Sequence, residues 1–218
     1  DETVQGLAGR TDNPRFAWDS YRRFLFMFGD VVLEIHATHF RRARKEAFGD
    51  REPEDLDLAE LQQLCKLWKG VIETRHGHFM ADPWEQLHAA VNAVVRSFNT
   101  KRARYYRKSN GIAEDSGTGV NVQTMVFGNM GQGSGTGVAM SRNATTGESN
   151  LEGDYLINAQ GEDVVAGIRV TKPIAELAGD LPEAFAEFDA FAQKLENHYR
   201  NMQDMEFTIE KGKLWLLQ

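Results

Sequence analysis

The feature that most constrains the fold of this 218-residue chain is a change of hydrophobic pattern at about residue 110. Before it, apolar residues recur at spacings of three and four, the period of an amphipathic helix. After it, glycines crowd between short apolar runs, a pattern typical of strands joined by turns. The sequence therefore predicts an α+β protein: a helical part, followed by a mainly antiparallel sheet with one packed helix.

Four helices are predicted in the first hundred residues, over about 14–28, 31–45, 57–73 and 83–98. Pro14 and Pro83 lie near the starts of the first and the last, where proline fits a helical first turn. The apolar stripe of the fourth helix consists of Trp84, Leu87, Ala90, Val91, Val94, Val95 and Phe98. We expect a helical subdomain over 1–80, a helix and connection over 81–119, and a β-rich subdomain over 120–218.

In the second half, strands are predicted over 120–127, 138–141, 155–159 and 164–168, and a helix over 182–199. Two last strands, 205–209 and 214–217, form a closing hairpin. Alternation along the first of these strands places Asp204, Glu206, Thr208 and Glu210 on one face. Carboxylates that point the same way are suitable ligands for Mg²⁺ when phosphate oxygens complete its coordination. The alternative is a solvent-facing amphipathic hairpin with no ligand.

The length of the hairpin turn decides whether Gln218 joins these acids. A three-residue loop over 211–213 would place Gln218 opposite Glu206, whereas a two-residue turn would place it on the other face.

Two further segments are candidates for contact with a nucleotide. Glycines over 128–137 could cradle an anion with their N–H groups, although a flexible connection is the alternative. Glu162 and Asp163 follow a predicted strand. A carboxylate there could accept from ribose hydroxyls or support a metal, and the alternative is a tight turn capped by Asp163.

Composition limits the partners and the compartment. The formal charge of −7 gives no general attraction for phosphate backbones, so we expect no nucleic-acid partner, and no apolar stretch is long enough to span a membrane. The single cysteine, Cys65, excludes an internal disulfide framework, and we expect a cytoplasmic protein. Because the first residue is Asp1 and not Met, we also expect the chain to be a piece of something longer.

Several long strings resemble the nucleotide-binding domain of the pyruvate, phosphate dikinase family. They are Asn13–Phe24, Val120–Asn129, Ser134–Val138, Tyr155–Gly167, Met202–Glu210 and Gly212–Gln218, and they occur in the family's order over nearly the whole chain. The resemblance implies an ATP-grasp fold, in which ATP and magnesium lie between two α+β lobes. It also implies a reaction that interconverts ATP, phosphate and pyruvate with AMP, pyrophosphate and phosphoenolpyruvate.

The resemblance further implies roles for particular residues. Asp204, Glu206 and Gln218 would lie at the magnesium and the triphosphate, and Glu162 at the nucleotide. The three-residue hairpin loop is favoured, because Glu206 and Gln218 would then share a face. The cofactor would be Mg²⁺, with ATP as the substrate. The partners would be the phosphohistidine and pyruvate-binding domains of the same parent chain, which would be a homodimer.

The departures from the family's pattern limit what these residues are expected to do. The N-terminal segment that grips ATP with a lysine and an arginine, the arginine two positions after Gln218 and the phosphohistidine motif are absent from these residues. We therefore expect no catalytic residue here, no turnover, and only weak binding of Mg-ATP. The alternatives are the ATP lobe of a relative, such as phosphoenolpyruvate synthase or a glucan dikinase, and a non-catalytic interaction module.

Overall fold

A computed structural model describes residues 2–165 and 169–218 and shows an α+β protein. The chain divides into two compact units, Asp1–Val122 and Gln123–Gln218. The finer division at residues 80 and 119 stays a prediction. No helix in the described residues is long and apolar enough to cross a membrane.

The first unit is helical. Its elements are α1 (Glu2–Thr11), α2 (Pro14–Met27), a π-helical turn (Phe28–Val32), α3 (Thr38–Phe48), a 3₁₀ turn (Pro53–Asp55), α4 (Leu58–His76), α5 (Pro83–Ser97) and α6 (Lys101–Ser109). Asn13 caps α2 through a hydrogen bond from the N–H of Phe16, and Gly77 ends α4 in the left-handed conformation. The first, third and fourth predicted helices are present, whereas α1 and α6 were not predicted.

The second predicted helix is wrong in its first half. The π-helical turn ends at Val32, and α3 begins only at Thr38. The carboxylate of Asp30 accepts from the backbone N–H of Ala37 at 2.9 Å, and Glu34 has a positive φ of 57°. These local bonds turn the chain between two helical runs that share one apolar pattern.

The core of the first unit lies between α2, α3 and α4. Its fully buried side chains include Leu25, Phe40, Leu61 and Ile72. The indole Nε1 of Trp68 donates to the carbonyl of Phe40 at 3.0 Å, so the polar atom of this buried ring is satisfied.

The second unit is an antiparallel sheet covered on one face by a helix. Its elements are β1 (Gly135–Met140), β2 (Glu152–Ile157), α7 (Gly161–Val165), β3 (Lys172–Pro173), a 3₁₀ turn (Ile174–Glu176), α8 (Leu177–Asp180), α9 (Pro182–Tyr199), β4 (Asp204–Glu210) and β5 (Lys213–Leu216). The strand order is β3-β2-β1-β4-β5. Phe188 of α9 meets Phe207 of β4 with ring centroids 4.4 Å apart, at the centre of the buried layer.

Two strand predictions in this half are wrong. Residues 120–127 have no regular secondary structure; the N–H of Phe127 donates to the Glu210 carboxylate instead of to a neighbouring strand. Val164 and Val165 belong to α7, because Asp163 caps the turn that starts it, and 166–168 lie outside the described residues.

Candidate functional site

The face of the sheet opposite to α9 carries the predicted acidic side chains. Along β4, Asp204 and Glu206 are exposed, whereas Met205, Phe207 and Ile209 are buried in the core. The alternation predicted from the sequence is therefore confirmed for the acids, whereas Thr208, which was predicted on the same face, is buried beside Thr136. Because α9 covers the opposite face, Asp204, Glu206 and Glu210 share the face that the helix leaves open.

The hairpin that ends the chain has a two-residue turn, so the predicted three-residue loop is wrong. Glu210 pairs with Lys213, and only Lys211 and Gly212 lie between the strands. Both turn residues have positive φ, 50° and 82°, as the tightest hairpin turns require. This register alone would place Gln218 on the face opposite to Glu206.

A β-bulge at the end of the chain reverses that consequence. The N–H groups of Leu217 and Gln218 both donate to the carbonyl of Glu206, at 2.8 and 3.4 Å, and the N–H of Glu206 donates to the carbonyl of Gln218 at 2.9 Å. Two residues thus oppose one, which shifts the side-chain alternation by one step. The backbone therefore brings Gln218 opposite Glu206 by a route that the sequence analysis did not consider.

The carboxylates of Asp204 and Glu206 are available to a ligand. Within the described part of the chain, neither makes a hydrogen bond or an ion pair. The described residues also contain no cluster of three or more His, Cys, Asp or Glu side chains that could hold a metal by themselves. Two acids and an amide therefore suit Mg²⁺ that is completed by phosphate oxygens and water, and they do not suit an all-protein cage.

A polar network fixes the start of β4, where these acids lie. Ser141 Oγ donates to Glu196 of α9 at 2.5 Å and accepts from the N–H of Gln203 at 2.9 Å. The guanidinium of Arg142 binds the same carboxylate, and the hydrogen bonds from Arg142 and then Ser141 lower the pKa of Glu196 below its usual value. The residue before Asp204 is thus tied to both β1 and α9.

Three other acids on this face are engaged in structure. Glu210 accepts from the N–H of Phe127 at 2.6 Å, Glu152 from the N–H of Ala144 at 2.7 Å, and Asp154 from the hydroxyl of Thr171 at 3.1 Å. Sequence reasoning missed Glu152 and Asp154 because it began the strand at Tyr155. The alternation Glu152, Asp154, Leu156 was the signal that could have found them.

The glycine segment before β1 is held firmly to the sheet. Ser134, which is fully buried, accepts from the N–H of Lys211 at 3.0 Å, and Asn158 accepts from the N–H of Gly131 at 3.0 Å. A Cβ at Gly128 would overlap the carbonyl oxygen of Ala159, so glycine is required at that position. The segment packs against the hairpin turn and the end of β2, which differs from a flexible connection.

Glu162 lies at the other end of the sheet from Glu206. It is exposed on α7, directly after β2, whose end pairs with the start of β1. That end of the sheet also holds Glu210, which is about 13 Å along β4 from Glu206 at ~3.3 Å per residue. Asp163 forms the predicted cap, because its carboxylate accepts from the N–H of Gln160 at 3.0 Å.

A family model described as pyruvate phosphate dikinase, AMP/ATP-binding domain, matches residues 42–177 and 181–218. The chain belongs to this family. The site residues Glu162, Asp204, Glu206 and Gln218 all lie within the matched ranges.

Named relatives agree with the family. The chain is 52% identical to pyruvate, phosphate dikinase of Clostridium symbiosum, 47% identical to that of Rhizobium meliloti, and 47% identical to pyruvate, phosphate dikinase 2 of rice (Oryza sativa subsp. japonica). Each comparison covers 100% of this chain, but only 26%, 26% and 25% of the relative. The chain therefore spans about a quarter of the length of these relatives.

Proposed function

We propose that the chain is the part of a pyruvate, phosphate dikinase that binds Mg-ATP for transfer of its β-phosphate to a histidine on another domain. The overall reaction would convert ATP, phosphate and pyruvate to AMP, pyrophosphate and phosphoenolpyruvate. One observation carries the proposal: two exposed carboxylates without protein partners in the described residues, Asp204 and Glu206, share one sheet face, and a bulge bonds the backbone of Gln218 to Glu206.

The side chains divide the work by their chemistry. The carboxylates of Asp204 and Glu206 would hold the magnesium ion, and the amide of Gln218 would complete its protein ligands or donate to a phosphate oxygen. When bound, Mg²⁺ supplies neutralisation of the phosphate charge, the main requirement of phosphoryl transfer. The chain supplies positioning, because the Ser141 and Glu196 network and the bulge fix β4 at both ends of this trio.

Glu162 would serve the nucleoside. Its place at the opposite end of the sheet from Glu206 suits a nucleotide that lies along the strands. There its carboxylate would accept hydrogen bonds from ribose hydroxyls or the base. Glu162 and Glu206 would thus contact different parts of one ATP molecule.

The alternatives have less support. Identities of 46–52% over the whole chain to proteins named pyruvate, phosphate dikinase favour that enzyme over phosphoenolpyruvate synthase or a glucan dikinase. An interaction function is compatible with ATP binding and does not replace it. We propose the other domains of the parent chain as partners, and a homodimer as the state of the parent. We also propose a cytoplasmic location, because the one cysteine is a free, buried thiol and no disulfide framework is needed.

The test is calorimetric titration of the 218-residue chain with Mg-ATP. The wild type is compared with a Glu206→Ala, Gln218→Ala double variant and with Glu187→Gln, which removes an exposed charge on α9. We expect weak, saturable binding that the double variant loses and the control keeps. Binding that survives in the double variant would contradict the site. Absence of binding in all three proteins would contradict the claim that these residues suffice for recognition.

A further inference from the structure

The side-chain amides of Asn129 and Gln160 form a hydrogen-bonded pair that has no role in the site described so far. Gln160 Nε2 donates to Asn129 Oδ1 at 3.2 Å, and both residues are half-buried. Asn129 belongs to the glycine segment before β1, and Gln160 directly precedes α7. The pair therefore joins the glycine segment to the stretch of chain that carries Glu162.

The pair lies at the end of the sheet where Glu162 is found, and the chain reaches it across the acidic face. Two residues before Asn129, the N–H of Phe127 donates to Glu210 at 2.6 Å, and Glu210 lies on the face opposite to α9. Gln160 in turn lies two residues before Glu162. A nucleotide that lies along this face, with its phosphates at the far end, would bring its nucleoside towards the pair.

The backbone next to the pair is fixed by bonds between the two segments. The N–H of Ala159 donates to the carbonyl of Gly128 at 2.9 Å, and the N–H of Gly131 donates to Asn158 Oδ1 at 3.0 Å. These bonds flank the pair on both of its strands of chain. Groups that are already in place lose little conformational freedom when a ligand binds, and this favours affinity.

Both amides keep hydrogen-bonding capacity beyond the bond between them. Among the described residues, Gln160 Oε1 and Asn129 Nδ2 have no hydrogen-bond partner. If both amides were turned over, the bond would run in the opposite direction and would again leave one oxygen and one NH₂ group. The pair thus presents an acceptor beside a donor and carries no charge. This arrangement complements the edge of a nucleobase, whereas phosphate is bound best by cations.

We propose, on the basis of the function proposed above, that Asn129 and Gln160 bind the adenine base of ATP through its hydrogen-bonding edge. Gln160 Oε1 accepts from the amino group of the base, and Asn129 Nδ2 donates to the neighbouring ring nitrogen. Glu162 is then left for the ribose hydroxyls, and the magnesium ion and the phosphates stay at Glu206.

The test separates the base from the phosphates. The 218-residue chain is titrated by calorimetry with Mg-ATP and with Mg-tripolyphosphate, which has phosphates but no base. The variants are Gln160→Ala, Asn129→Ala and the control Gln132→Ala, an exposed amide of the same segment that makes no hydrogen bond to the described residues. We expect Q160A and N129A to bind Mg-ATP about three- to tenfold more weakly than the wild type, as for the loss of neutral hydrogen bonds. Their affinity for Mg-tripolyphosphate should be unchanged, and Q132A should change neither affinity.

The outcomes distinguish this inference from the proposed function. Unchanged binding of Mg-ATP by both variants would overturn the inference and leave the proposed function intact. Equal weakening of both ligands would also overturn it, because the pair would then act only on the shape of the segment. A wild-type chain that binds neither ligand would contradict the proposed function, and the inference with it.

A second measurement needs no variant. In the wild-type chain with Mg-ATP, we expect nuclear Overhauser contacts between the adenine ring protons and the side-chain amide protons of Asn129 and Gln160. Contacts from the adenine protons to other residues only would overturn the assignment of the base to this pair.

Discussion

Replacement of Asp19 by asparagine should destabilise the helical unit far more than the loss of an ordinary surface charge. The Asp19 carboxylate accepts from Arg22 at 2.7 Å and from Arg23 at 3.1 Å, and the residues of both cations are less than 10% exposed. Burial alone would raise the pKa of Asp19, but the two guanidiniums overcome it and lower the pKa below its usual value. Asparagine would leave two buried cations without their shared anion.

The size of the stability loss follows from the burial of Arg22 and Arg23 and from Glu54, which stays near both guanidiniums. Removal of one member of a buried ion pair costs about 3–5 kcal/mol. Glu54 lies 3.9 Å from both guanidiniums but is 56% exposed, so it compensates only in part. We expect a loss of about 2–4 kcal/mol in the free energy of unfolding, and hence a urea midpoint lower by about 1–2 M at an m-value near 2 kcal/mol/M.

The assay is urea unfolding followed by tryptophan fluorescence in a Trp215→Phe background. Trp68 is buried in the core of the first unit, and the substitution removes the tryptophan of the second. The control is Glu46→Gln, which breaks an Arg42 pair whose two side chains are both 70% exposed and should cost below about 0.5 kcal/mol.

The lowered pKa of Asp19 also fixes the direction in which stability changes with pH. Because the folded pKa of Asp19 lies below the unfolded one, its contribution is present above about pH 4 and is lost as the pH falls further. The wild type and D19N should therefore converge in stability in acid. Equal losses for D19N and E46Q, or a difference between wild type and D19N that does not narrow as the pH falls from 5 to 2, would refute the reasoning.

Three further predictions concern the cores and the sheet. Burial raises the pKa of the Cys65 thiol to about 12, so a thiol reagent at pH 8 should label the folded chain on the order of 100-fold more slowly than the unfolded chain. The free energy of unfolding should also decline above about pH 8.5, where only the unfolded thiol ionises. Rapid labelling of the folded chain would contradict this prediction. Phe188→Ala removes the ring that packs on Phe207 and should cost the second unit about 3–5 kcal/mol, measured by hydrogen exchange of β4, and a loss below about 1 kcal/mol would disprove the packing. Gly153→Ala should lower the melting temperature, because the new Cβ would overlap the carbonyl oxygen of Val138 in β1. Gly179→Ala has open space around it and should not lower the melting temperature, and equal effects of the two substitutions would count against the sheet register.

Periodicity was sufficient for most helices and for the central strands. The stripe in α4 and the alternation along β4 are each explained by one partner surface, so a local pattern predicts them well. Residues 31–40 and 120–127 show the limit. In the first, the Asp30 carboxylate interrupts a helical pattern. In the second, an alternating run finds no partner strand among the residues that the structure describes.

The candidate site was predicted in its residues but not in its geometry. Asp204 and Glu206 follow from alternation alone. The position of Gln218 depends on two features that compensate, a turn one residue shorter than expected and a bulge that adds one residue back. Neither is visible in the sequence, because Lys211, Gly212 and Lys213 fit either loop length.

The most direct test of the central claim is paramagnetic NMR with Mn²⁺ in place of Mg²⁺. Amide signals of the 218-residue chain are recorded with ATP alone, with Mn²⁺ alone and with both. Binding at the proposed site predicts ATP-dependent broadening at residues 204–206 and 217–218, which is absent in the Glu206→Ala, Gln218→Ala variant. Broadening that is centred elsewhere, or that is the same without ATP, would contradict the assignment of the metal and phosphates to the closing hairpin.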